Sequence, residues 1–164
     1  MTRYLLQITA IVLVSIYAWR KGGKPERIGA GILCSLAAAD PLYHAISPVE
    51  STYVTTDGWH LALDSAALVA AIALALRSDR FWPLWFAAMQ LISTAAHLLR
   101  ALDYTMDPLA YAIMTRGPSY PMILCLLVGV ANYHLRSRRI AGLPSLRSSF
   151  AGLAWRVTGR SRRE

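Results

Sequence analysis

Three histidines and three aspartates stand in or at the edge of apolar stretches of this chain, where an ionisable group is costly and turns toward a protein interior or a cavity. Asp40 and His44 are four residues apart in one stretch, and His60 and Asp64 are four apart in the next. Residues at that spacing share a helix face. A further stretch carries Gln90, His97, Arg100 and, at its end, Asp103. Imidazole with carboxylate is ligand chemistry for zinc, copper, nickel or iron, and a carboxylate that does not ligate can orient a neighbouring histidine. His44, His60 and His97, from three different stretches, are thus the candidate metal ligands. Two of them could instead hold a haem axially, non-covalently because no CxxCH is present. A proton-conducting or quinone-contacting site is a third use, since histidine titrates near neutrality.

The plainer expectation is that the same groups fasten helices together. Asp40–His44, His60–Asp64 and Arg100–Asp103 can each form a buried pair, and such contacts contribute roughly 0.6–2 kcal/mol in membranes. The leading expectation is therefore a non-enzymatic accessory or structural membrane protein. The alternative is a metal- or haem-binding one, linked to redox, proton or quinone chemistry. The cofactor stays open between none and a His-ligated metal or haem. Nucleophilic catalysis has no sequence support, because GxSxG is absent, and no P-loop or dinucleotide fingerprint appears. Cys34 and Cys125 lie in apolar runs without a CxxC and read as small buried hydrophobes. His134, beside Asn132, reads as an interfacial residue.

The elements that must position these groups are apolar runs separated by short charged clusters. The chain has 164 residues, 55% of them hydrophobic, with 17 Lys+Arg against 9 Asp+Glu. Runs of roughly 20 apolar residues match the ~30 Å hydrocarbon core of a bilayer. They predict an all-α polytopic bundle over 1–141, with about five transmembrane helices near 4–19, 28–46, 59–76, 81–102 and 118–135. The first run is a retained helix and no cleaved signal, because its positive charges follow the core and bulky Tyr17 and Trp19 occupy the cleavage position. Arg116-Gly117-Pro118 interrupts the last hydrophobic stretch, leaving a short interfacial segment at 109–115.

Lys and Arg divide 14 to 3 between the two sets of loops, which predicts the N-terminus outside and the C-terminus in the cytoplasm. Tyr43, Trp59, Tyr104 and Tyr120 fall near the outer interface; Trp19, Trp82, Trp85 and Tyr133 fall near the inner one. Alternating span direction then brings the histidines and aspartates to one depth, in the outer third, with Asp103, Asp107 and Arg116 just beyond. Helical phase aligns Gly29, Leu33, Ala37, Asp40 and His44 on one face, and His60, Asp64, Ala67, Ala71 and Ala75 on another. Gln90, Ser93, Thr94, His97 and Ala101 form a third, with Arg100 at its edge. Small residues at such spacing let backbones approach, so these are packing faces.

The basic tail, 142–164, spaces Leu143, Leu146, Phe150, Leu153 and Val157 along one side, with Arg147 and Arg156 among the basic residues outside it. It predicts an amphipathic helix on the anionic inner leaflet, with Arg147, Phe150, Leu153, Arg156 and Val157 at the lipid surface. Expected partners are the bilayer itself and either a second copy or a larger membrane complex. Nucleic acid is not among them, since only the short tail is basic enough.

DRFWPLWF at 79–86, HLLRALD at 97–103 and SYP at 119–121 resemble stretches of a set of small bacterial inner-membrane proteins of uncharacterised role. The resemblance implies that membrane and adds nothing on mechanism. The chain has fewer spans than the zinc-dependent membrane hydrolases of the ceramidase type, and their histidine spacing does not map onto it.

Overall fold

The computed structural model describes residues 2–46, 58–102, 105 and 107–141. Among them are six α-helices and no strand: α1 (Thr2–Lys21), α2 (Lys24–Ile46), α3 (Gly58–Arg77), α4 (Trp82–Leu102), α5 (Pro108–Arg116) and α6 (Ser119–Ala141). The chain divides into two units, Met1–Tyr133 and His134–Glu164. The first is a helical bundle; of the second, only the last turns of α6 are described. The tail positions Arg147, Phe150, Leu153, Arg156 and Val157 lie outside the described residues.

Local sequence explains each boundary that departs from expectation. α2 starts at Lys24, not at 28, because Glu26 reaches back to the N–H of Gly23 at 2.9 Å while Arg27 N–H bonds the Gly23 carbonyl at 3.2 Å. Glu26 thus supplies the N3 half of a capping box, with glycine at the cap, and this brings the charged KPER segment into the helix. Asp107 caps α5, its carboxylate accepting from Leu109 N–H (2.7 Å) and Ala110 N–H (3.1 Å), ahead of a proline in the first turn. Asp107 was expected beside the outer polar cluster; its work is at this cap. α5 ends where Pro118 removes a backbone donor, and Tyr120 N–H bonds the Gly117 carbonyl to restart the ladder as α6.

Consecutive long helices pack in sequence, α1 on α2, α2 on α3 and α3 on α4, and α5 lies against α4. The buried face of α3 is Ala67, Ala71 and Leu74; the first two belong to the small-residue stripe expected there, whose Ala75 is only partly buried. Ile11, Val14 and Ala18 of α1, Ala30, Ile32 and Leu33 of α2, and Phe86 of α4 complete the core with Met122, Leu126 and Val130 of α6.

Trp82, expected near the inner interface, turns its ring into this core and is 8% exposed. Two glycines make room for it. A Cβ on Gly29 would meet the far tip of the indole at 2.7 Å, and one on Gly129 would meet its Cδ1 and Nε1 at 2.7 Å. The ring therefore wedges between α2 and α6.

Among the described residues, two stretches are long and apolar enough to cross a membrane, Gly58–Arg77 and Leu109–Arg139, the second running through the break at Pro118. The core helix of a soluble protein passes the same length test but is mostly buried. Here only 17% and 28% of the two windows are buried.

Candidate functional site: a polar chain from α3 through α4 to α5

The polar face of α4 is where the chemistry gathers. Gln90, Ser93, His97 and Arg100 are all buried, at 1%, 5%, 6% and 3% exposure. Their spacing of three, four and three residues places them on one side of a helix whose other side exposes Leu91, Ile92, Leu98 and Leu99. Arg100, expected at the rim of this face, is fully part of it.

Asp64 of α3 is the acceptor at the centre. Its Oδ1 receives Gln90 Nε2 at 3.1 Å, and its Oδ2 lies 2.9 Å from Ser93 Oγ and 3.0 Å from His97 Nε2. Gln90 Nε2 and Thr94 Oγ1 also reach the Asp64 backbone carbonyl, both at 3.2 Å. The close approach that this requires comes from the alanines that follow Asp64 on the same face. Three side-chain donors converge on this carboxylate, and with His97 Nε2 donating to it the imidazole carries its proton on Nε2.

The other nitrogen of His97 faces α5. Nδ1 lies 2.7 Å from the hydroxyl of Tyr111, which is itself 5% exposed. With Nε2 protonated, Nδ1 is the lone-pair side and the phenol donates to it. Arg100 sits over the Tyr111 ring, 5.8 Å from its centroid, a cation–π distance. Ser93 Oγ is 3.1 Å from the Thr115 carbonyl, so its single proton is shared between α3 and α5. Asp64, His97 and Tyr111 thus form a hydrogen-bonded chain of carboxylate, imidazole and phenol across three helices.

His60 joins from above. Its ring stacks at 6.5 Å from that of His97 and meets Tyr43 edge-on at 5.6 Å, and Tyr43 in turn stacks on Trp59 at 5.5 Å. The structure thus gathers His60, Asp64, Gln90 and His97, with Arg100 next to them over the Tyr111 ring. Asp64, expected to pair along its own helix with His60, reaches across to α4. Asp40 and His44 lie on α2, but their side chains, and Asp103 altogether, fall outside the described residues.

Among the described residues no group of three metal-ligating side chains comes together. Both ring nitrogens of His97 are engaged, Nδ1 with Tyr111 and Nε2 with Asp64.

A second polar knot was missed by sequence reasoning. Glu26 is fully buried, its Oε1 paired with Arg80 Nη1 and accepting from Trp82 Nε1 at 3.2 Å. Its Oε2 caps Gly23, and the Arg80 guanidinium lies 4.7 Å from the centroid of the Tyr133 ring. A third tie, Gln7 Nε2 to Ser119 Oγ at 2.8 Å, joins α1 to α6. Tyr111 was missed as well. The signal for Glu26 was present, a lone acid three residues after a glycine at a helix start. For Tyr111 nothing in the local sequence distinguishes it from an interfacial aromatic.

No protein-family model matches the chain, and neither a curated protein nor a solved structure matches it.

Proposed function

We propose that this is a five-span protein of a bacterial inner membrane, with its N-terminus outside and its basic tail at the cytoplasmic leaflet. Its role is accessory or structural, and no reaction is assigned to it. The polar chain from Asp64 through His97 to Tyr111 fastens α3, α4 and α5 near the outer face.

One observation carries this reading: large apolar side chains are exposed along several helices while ionisable and amide side chains are buried between them. Glu26, Gln90, His97 and Arg100 are buried, whereas Leu5, Leu6 and Leu13 of α1, Val69 and Leu76 of α3, Trp85, Leu91 and Leu98 of α4, and Leu124 and Leu127 of α6 are exposed. Apolar exposure on this scale, spread over several helices, needs an apolar solvent. It also accounts for α4, whose polar residues lower its mean hydropathy but all point inward. Such helices are common where a bundle hides its polar groups from lipid.

The topology is tested by fusing a reporter that is active only outside the cytoplasm after Glu164. The fusion should be silent, while one placed before Thr2 should be active; activity at the C-terminus sinks the five-span reading. The fastening role is tested by His97→Ala. The variant removes the Tyr111 hydroxyl's bond to Nδ1 and one of the two donors on Asp64 Oδ2, which keeps Ser93, at about 1–3 kcal/mol in all. Thermal stability in detergent should fall accordingly, with metal content the same in parent and variant. Bound metal lost on this change would point to a ligand site instead.

A further inference from the structure

α5 differs from the other helices in how it is held. It is nine residues long, closed at one end by the Asp107 cap and at the other by Gly117 and Pro118. Isolated helices of that length are marginal, so its place depends on what docks it. Its outward side, with Leu109 and Ile113 at 68% and 61% exposure, holds nothing. Tyr111 is its one side chain in the buried class among those described. Ala112, Met114 and Thr115 are half-buried beside it, and the polar ties include the Tyr111 hydroxyl on His97, the Thr115 carbonyl on Ser93, and the Tyr111 ring under Arg100.

We propose that α5 is a lid over His97, latched by the Tyr111 hydroxyl and hinged at Gly117–Pro118. The hinge has a covalent cause. Pro118 has no N–H to give to the carbonyl of Met114, so α5 and α6 are joined by backbone that lacks one rung of the helical ladder. The latch has a chemical consequence. In the closed state the phenol occupies the Nδ1 lone pair of His97; when α5 swings out, that lone pair becomes a free base at the mouth of the bundle, with Asp64 still orienting the ring from behind. A site that is blocked in the closed form is thereby available in the open one, to a proton or to any electrophile that fits. The lid does not depend on the number of spans. It stands or falls on the geometry of α4, α5 and the turn between α5 and α6.

The test uses the full chain in detergent and diethyl pyrocarbonate, a probe that acylates an imidazole lone pair, with modification at each histidine followed by mass spectrometry. His134, half-buried near the end of α6, is the internal reference for reagent activity. His97 should react more slowly than His134, yet measurably. Tyr111→Phe should raise the His97 rate at least about tenfold, the ratio that corresponds to about 1.4 kcal/mol of latch energy. Freeing the nitrogen alone could raise that rate, so the hinge supplies the deciding variant. Pro118→Ala restores the missing donor and straightens the joint, and it should slow His97 modification severalfold in the Tyr111→Phe background. A spin label at position 113 should become more mobile in Tyr111→Phe and less so when Pro118→Ala is added. If His97 is inert in every variant, or if Pro118→Ala leaves both the rate and the label unchanged, α5 is a fixed part of the bundle and the lid is refuted.

Discussion

Removing Arg80 should damage this protein more than neutralising its partner Glu26, although the two changes break the same ion pair. Glu26 is fully buried and Arg80 is 31% exposed at its side chain. In Arg80→Ala the carboxylate remains inside with only Trp82 Nε1 and the Gly23 N–H as donors, both neutral. An uncompensated buried charge of this kind costs about 3–5 kcal/mol. In Glu26→Gln the guanidinium can swing into solvent or headgroups, and the amide oxygen still serves Trp82. What is lost is the charge assistance and the Gly23 cap, at about 1–3 kcal/mol together. With both substitutions present no charge is stranded, so the double variant should be more stable than the sum of the singles predicts by at least about 1.5 kcal/mol. Reversible unfolding of the whole chain in mixed micelles, at increasing denaturing detergent, reads all three. Single-variant effects that simply add, or an Arg80→Ala protein within about 0.5 kcal/mol of the parent, would refute the reasoning.

The glycines around Trp82 give a second test with its own control. Gly129→Ala places a Cβ 2.7 Å from the indole Cδ1 and Nε1, so a ring tied to Glu26 must shift, at about 1–3 kcal/mol for overpacking. Gly31→Ala points its Cβ into open space on the exposed side of α2 and should be neutral or gain up to about 1 kcal/mol from helix propensity. Equal effects from the two changes, measured as detergent melting temperatures, would mean that Trp82 is not wedged between α2 and α6.

The packing faces were legible in the sequence because they depend on one helix at a time. Three-and-four spacing alone puts Gln90, Ser93, His97 and Arg100 on one side of α4, and the Ala67–Ala71 stripe identifies the side of α3 that approaches it. Partner choice was not legible, because it depends on the register between two helices. Asp64 and His60 share a face, and spacing alone pairs them. In the bundle the small residues of α3 bring α4 close enough for the same carboxylate to collect Gln90, Ser93 and His97. Tyr111 was hidden for a related reason, since its role exists only once α5 folds back onto α4.

Glu26 was obscured by its neighbours. In RKGGKPER at 20–27 it is one acid among four basic residues, and the segment reads first as a topology signal. Yet that setting is what a buried carboxylate at a helix start requires. The capping geometry fixes its direction, Arg80 from the turn between α3 and α4 neutralises it, and Trp82 closes over it. The two polar knots consequently stand at opposite ends of α3 and α4, Asp64 with His97 at one end and Glu26 with Arg80 at the other. Between them lie Ala67, Ala71, Leu74 and Phe86, which carry no polar side chain. In a bilayer such an arrangement sets the polar ties toward the two faces and leaves the middle to close packing, where a stranded charge would cost most. It also means that the two ends can be perturbed separately. A lid at the His97 end can open without loosening the Glu26 end, because the apolar packing of Ala67, Ala71, Leu74 and Phe86 separates the two.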